Sequence, residues 1–212
     1  MTGVYGNFDV AIERRAAPDF DDGSGVCGDG CIVKLVTSID GADLLVCVVD
    51  GLGHGKDAAF AADAALAVVD AASFADGAGD DDLPALITRV HETMRRTRGV
   101  VMTLVRITTD GVRWCGVGNV DAVVVRGAGG GAKDAVVSRG GVVGYKLPPL
   151  RVQTAAFGDG DTLLLTTDGL AHGVDALVDG ADVAVVAERA VRGFARGDDD
   201  ALVCVVRRRS AP

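Results

Sequence analysis

Apolar residues recur along this chain with two different periods, and the changes from one to the other mark its elements. Residues 44–49, LLVCVV, form an unbroken apolar run, the pattern of a strand covered on both faces. Residues 162–167 and 201–207 also predict strands. Residues 3–17 alternate more loosely, with Val4, Phe8, Val10 and Ile12 apolar, and predict one or two strands. Residues 32–37 precede the first run across Asp40-Gly41, a hairpin turn signal. Further strands are expected over 100–108, 112–117 and 120–126, with Asp110-Gly111 turning the first into the second. Residues 136–138 and 152–157 predict short strands on either side of RGGVVGYKLPPL at 139–150.

The second period is helical. Residues 56–75 are almost continuous alanine with Leu66, Val68 and Val69, a helix whose small side chains permit close packing on a sheet. Leu83, Leu86, Ile87, Val90 and Met94 share one face of a helix over 83–98. Val183, Val186, Ala190, Val191 and Phe194 do the same over 182–196. Loops rich in acids and glycine fall at 18–30 and 77–82. Gly127 to Gly131 is another loop, and no Lys-Ser/Thr follows it as a phosphate-binding loop requires. Nine or ten hairpin-linked strands, with helices in two blocks and no βαβ alternation, predict an α+β sandwich of mainly antiparallel sheets. With no repeat and no linker, the 212 residues are expected to form one domain.

Composition narrows the function. The chain is 49% hydrophobic but only 4% aromatic, so Val, Leu and Ala must build the core. A net charge of −9 argues against a general nucleic-acid binder. The basic clusters at 95–98 and 207–209 read as a solvated helix end and a solvated tail. Cysteines at 27, 31, 47, 115 and 204 follow no secretory leader, and no apolar run approaches the ~20 residues of a membrane span, so a reduced cytoplasm is expected. Cys27 and Cys31 lack the further ligands of a zinc site.

The chemistry gathers at strand ends. Asp50-Gly51 closes the run at 44–49, Asp168-Gly169 closes the run at 163–167, and Asp198, Asp199 and Asp200 open the last strand. Taken singly each is a turn acid, because Asp and Gly are ordinary turn formers. Taken together with Asp29 they suggest acids delivered to one rim. Carboxylates without His or Cys partners suit Mg²⁺ or Mn²⁺. Such acids raise one another's pKa unless a cation neutralises them. Two ions about 3.5–4 Å apart lower the pKa of a shared water and clamp a phosphoryl group. No Ser sits in a nucleophile elbow, and no Cys has a basic partner nearby in sequence. His91 reads as a helix-packing residue, Trp114 and Tyr145 as packing or surface residues, and Asn119 as a turn. Residues 139–150 fit a substrate-docking loop and a rigid crossing equally.

The ordered set Gly28-Asp29, Asp50-Gly51-Leu52-Gly53-His54-Gly55, Thr167-Asp168-Gly169 and Asp199-Asp200 resembles the metal-dependent serine/threonine protein phosphatases of the 2C type. Within them it is similar to the SpoIIE/RsbU/RsbX branch. TRGVVMTLVRI at 97–107, WCGVGNVDAVVV at 114–125 and residues 139–150 look most like the short RsbX-type members without a sensor. The likeness runs from about residue 9 to residue 206. It implies an αββα sandwich and a single phosphatase domain over 1–212. It implies two Mn²⁺ or Mg²⁺ ions and hydrolysis of phosphoserine or phosphothreonine by a metal-bridging hydroxide. By position, Asp50 bridges the ions and the Gly51 carbonyl binds one. Asp168 and Asp199 hold the second, with Asp200 the alternative to Asp199. Asp29 orients water or contacts the first. Phosphorylated STAS-domain proteins of a stressosome-type switch are the implied substrates, with a switch kinase in the same pathway. A monomer is expected, with neither nucleic acid nor membrane as partner.

Two positions depart from the wider family. Leu52 stands where many members carry a His after Asp-Gly. His54 lies two residues later, as a helix-start residue or a second-shell donor. Leu202 replaces a Thr, and no phosphate-binding Arg is evident near the N-terminus, where Arg14 and Arg15 read as exposed strand charges. A catalytically weak binding module of the same fold, sequestering a phosphoprotein or kinase, is the alternative. A two-metal nuclease is a third reading, disfavoured by the acidic charge.

Overall fold

The computed structural model describes residues 1–18, 25–38, 41–73, 82–127 and 132–210. Asp40 of the expected hairpin turn, and parts of the acid- and glycine-rich loops, lie outside these. Eleven strands, three α-helices and one short 3-10 turn at Val174–Leu177 make up the described residues. The first four strands are β1 (Thr2–Tyr5), β2 (Phe8–Arg15), β3 (Asp29–Ser38) and β4 (Gly41–Gly51). Helices α1 (Gly55–Asp70) and α2 (Asp82–Met94) follow. Next come β5 (Val100–Ile107), β6 (Val112–Val117), β7 (Asp121–Val125), β8 (Lys133–Ala135), β9 (Gln153–Ala155) and β10 (Thr162–Thr166). Helix α3 (Val183–Phe194) and β11 (Ala201–Arg208) complete the order.

The strands form two antiparallel sheets. One has the order β1-β2-β11-β10-β7-β8 and the other β3-β4-β5-β6-β9. The period-two alternation of each strand feeds two different cores. On β4, Leu44, Val46 and Val48 enter the layer between the sheets. Leu45, Cys47 and Val49 face α1 and α2. On β11, Leu202, Cys204 and Val206 point between the sheets, while Ala201, Val203 and Val205 lie under α3. This is why Leu44–Val49 of β4 and Ala201–Val206 of β11 are unbroken apolar runs. Each fully buried Val or Leu contributes about 1.5–3 kcal/mol. The result is the αββα sandwich.

Helix α1 lies close on the five-stranded sheet because four of its five buried residues, Ala58, Ala61, Ala62 and Ala65, carry only a methyl, with Val69 the larger exception in its last turn. It ends where the Lys34 ammonium takes up the Val69 and Ala72 carbonyls, at 3.5 and 2.9 Å. A cation there also complements the helix dipole. Helix α2 stops at Met94, short of the expected residue 98. The Thr97 hydroxyl donates to the Met94 carbonyl at 2.8 Å and accepts from the Gly99 amide at 3.0 Å. Gly99 then turns the chain at φ +85°, a left-handed conformation that favours glycine.

The expected strand over 136–138 is a correction. The edge strand is the polar Lys133–Ala135, paired with β7. Val136 still donates to the Ala122 carbonyl. At Val137 the Gln153 side-chain amide accepts from the backbone N–H at 3.0 Å and donates to the carbonyl at 3.1 Å. A side chain thus takes the bonds that a neighbouring strand would have made.

A buried ion cluster joins α2 to the sheet. The Arg106 guanidinium, 5% exposed, donates to Asp43 at 2.7 Å and to Asp82 at 2.5 Å. Removing one member strands buried charge, which costs about 3–5 kcal/mol. Arg106→Met should therefore lower unfolding stability by that order in urea titration, well beyond an exposed control such as Arg192→Met.

Candidate functional site

One end of the sandwich collects the acids. Antiparallel register places Asp29, the first residue of β3, directly opposite Asp50, next to last in β4. Asp168 follows β10 and Asp199 precedes β11, so the second sheet supplies the other wall. Asp50, Asp168, Asp198 and Asp199 line a cavity of about 360 Å³ with Leu52, Gly53, His54, Val101, Asn119 and Val142. Asp29 lies behind it, only 2% exposed.

Close backbone approach makes this end possible. A Cβ on Gly51 would lie 2.2 Å from the Ala58 carbonyl oxygen, and one on Gly169 1.9 Å from that of Asp200. The glycine after each site acid is therefore a packing requirement as much as a turn residue.

Hydrogen bonds separate the roles. The Thr167 hydroxyl donates to Asp29 at 2.7 Å and accepts from the Leu202 amide at 2.8 Å. Asn119 donates to Asp168 at 2.5 Å. Both oxygens of Asp200 accept backbone N–H groups, from Ala17 at 2.7 Å and Gly28 at 2.6 Å. Asp200 is thereby tied to the segments before β3, while Asp199 faces the cavity. His54 occupies the position before α1 without a side-chain capping bond and sits exposed on the cavity wall. The Gly51 amide donates to the Gly28 carbonyl at 3.1 Å.

The electrostatics are those of crowded anions. Burial first, then Asp29, Asp168, Asp199 and Asp200, push the Asp50 carboxyl up to about 8. Burial also raises Asp29 to about 7, opposed by the Thr167 hydrogen bond and reinforced by Asp200, Asp199 and Asp168. Asp199 is raised too, chiefly by burial. Cys27, at the same end, is pushed up to about 12 by burial and by Asp29, so it is a protonated thiol rather than a nucleophile.

An all-oxygen donor set with unneutralised charge fits a hard divalent cation. As the side chains stand, no three acid, His or Cys groups among the described residues are gathered into one ligand set.

Two contributors escape a reading by residue type: Thr167 and Asn119, in the turns after β10 and β6, hydrogen-bond to site acids. Only their adjacency to Asp168 and Gly118 signals them. Asp198, one of the three acids before the last strand, joins the lining. His91 packs as expected, accepting the Gly144 amide at 2.9 Å, and Trp114 is buried. Arg14 and Arg15 end β2 at the same end of the sandwich, opposite Leu202 and Ala201.

Comparison with known proteins completes the picture. A family model described as Stage II sporulation protein E (SpoIIE) matches residues 40–209. No curated protein matches. A chain solved in work on the bacterial stressosome, as a modular system adapted to control secondary messenger signalling, is 28% identical with a TM-score of 0.78. That match covers 94% of this chain and 99% of the other. RsbX in complex with magnesium is 19% identical, TM-score 0.77, with 98% of each chain covered. The PP2C phosphatase domain and regulatory fragment of SpoIIE from Bacillus subtilis is 18% identical, TM-score 0.70, covering 96% of this chain and 64% of that one. The fold is that of the 2C-type phosphatases.

A carboxyl whose folded pKa lies above its unfolded value near 3.8 stabilises the fold only while protonated. That stability is full below the unfolded pKa and is lost as pH rises through about 7 for Asp29 and about 8 for Asp50. In chelator, the melting temperature should therefore fall between pH 5 and pH 8.5. Added Mn²⁺ should flatten that slope in a thermal-shift titration.

Proposed function

The chain belongs to the SpoIIE family, and we propose that it is a divalent-metal-dependent phosphatase of phosphoserine and phosphothreonine in proteins. The observation that carries this reading is the convergence of Asp50, Asp168 and Asp199 from two sheets on one cavity, with Asp29 buried behind. Two Mn²⁺ or Mg²⁺ ions held there would supply a water of lowered pKa and a positive clamp on phosphoryl oxygens.

The chain's own residues do the rest. Asp50, on the wall formed by β4, would be the ligand shared by the ions, and the Gly51 carbonyl would add a donor beside it. Asp168 and Asp199 come from the opposite wall. Asp29 accepts the Thr167 hydroxyl and orients water from behind. Asn119 holds Asp168 in place. Asp200 fixes the base of the cavity through Gly28 and Ala17, which favours Asp199 over Asp200 as the ligand. The stressosome and RsbX likenesses support phosphorylated STAS-domain proteins as substrates, with a switch kinase acting in the opposite direction. A cytoplasmic monomer is proposed; among the described residues no helix is long and apolar enough to cross a membrane.

One observation favours the weaker reading of a binding module. Leu52, in the place of the wider family's His, packs on the core between the sheets and offers no proton. Turnover decides between the two. A phosphothreonine peptide should be hydrolysed with Mn²⁺ and not with chelator. Asp50→Asn should lower kcat by more than the roughly 10–100-fold typical of outer-shell changes. Circular dichroism should stay unchanged, because no core volume is removed. Binding without turnover would establish the module, and near-normal turnover by Asp50→Asn would refute the site.

A further inference from the structure

Two segments that reach the cavity carry exposed cations at its border, and the phosphatase reading leaves them unused. The two segments lie far apart in sequence. Arg95, Arg96 and Arg98 lie between α2 and β5, and Arg139 and Lys146 lie in the crossing at 139–150; all five are exposed. Both segments touch the cavity. Arg98 lies against Gly53, its Nη1 2.9 Å from where a Cβ would stand, and Gly53 lines the cavity. Val142 lines the same cavity and bridges to Lys146. Arg139 bridges to Val117 and accepts the Gly118 amide beside Asn119.

The crossing is held rigid. Val143 is fully buried and exchanges hydrogen bonds with Val100 at 2.8 and 3.0 Å. The Val142 amide donates to the Lys146 carbonyl at 2.9 Å, and Gly144 is anchored on His91. Tyr145, at the tip, is nevertheless 84% exposed. A rigid turn presenting a bare aromatic ring beside cations is a recognition feature, since tyrosine anchors interfaces at low entropic cost.

The charges are available. Among the described residues, Arg95, Arg96, Arg139 and Lys146 have no ion-pair partner. Arg98 pairs only with the exposed Asp57, at 2.9 Å, a contact of little strength. Cations at a helix end complement its dipole, which accounts for Arg95 and Arg96 but not for Arg139 or Lys146. In a chain of net charge −9, this rim offsets the repulsion that an anionic partner meets elsewhere.

We propose that this rim, with Tyr145, docks acidic side chains flanking the phosphorylated residue of the protein substrate. The inference rests on the phosphatase reading and adds a substrate class: phosphosites set among Asp and Glu.

The test uses two fluorescent peptides carrying a non-hydrolysable phosphonate analogue of phosphoserine, one flanked by Asp and Glu, the other by Asn and Gln. Anisotropy is read on the full chain with Mn²⁺. The acidic peptide should bind about tenfold more tightly at low salt, with the preference fading as salt screens it. Arg95→Glu/Arg96→Glu and Arg139→Glu/Lys146→Glu should each erase or invert it. No preference in the wild type, or one that survives both double variants, overturns the proposal. Turnover of the hydrolysable peptides is measured alongside. Loss of turnover with a retained flank preference would sink the enzyme and leave the docking surface standing.

Discussion

The molecule is organised around an electrostatic conflict. Carboxylates that repel one another are brought to one end of a sandwich and partly withdrawn from water. Asp29 and Asp50 sit opposite each other on neighbouring strands, where like charges destabilise a sheet. Both are pushed well above the ordinary carboxylate range. A fold holding only its own weight would not keep such a pair. The surrounding structure over-determines it: Gly51 and Gly169 let backbones meet, the alanine face of α1 lies close, and Asp200 fixes the loop before β3. Positive charge placed among these carboxylates would relieve the conflict, which is the physical basis of the proposed cation site.

The two-sided strands are what make the arrangement stiff. Because β4 is apolar throughout Leu44–Val49 and β11 throughout Ala201–Val206, each is gripped by a core on both faces. Their ends are thereby placed to within the precision of packed side chains. Asp50 at the end of β4 and Asp199 before β11 inherit that precision, although Asp199 itself is exposed. The cross-sheet bond from Thr167 to Asp29 then couples the two walls.

Much of this was legible in residue order, for a physical reason. An apolar run ending in Asp-Gly marks the strand and its terminal acid, so Asp50 and Asp168 stand out in the sequence, while their place in a site came from the ordered set and its resemblance. Three consecutive acids cannot be separated that way. Asp199 and Asp200 differ only in which way each side chain turns, and that is decided by Ala17 and Gly28 from far along the chain. Thr167, Asn119 and the Arg106 cluster were hidden for the same reason: their partners lie 138, 49 and 63 residues away. The valines at 136 and 137 misled because the polar Lys133–Ala135 takes the edge while a glutamine amide satisfies Val137.

The charge distribution closes the argument. An anionic phosphosite approaching a chain of net charge −9 is repelled at long range and attracted only close to the cavity. Two sources of attraction are available there, and they act at different ranges. On the proposed reading, ions held among the carboxylates would act on the phosphoryl group itself, at the cavity. The exposed arginines and lysine of the rim act further out and are weakened by salt within about a Debye length. The inner attraction alone would accept any phosphorylated side chain. The outer one discriminates by the residues around it, so selectivity among phosphoproteins is set at the rim while the chemistry is set by the acids behind it.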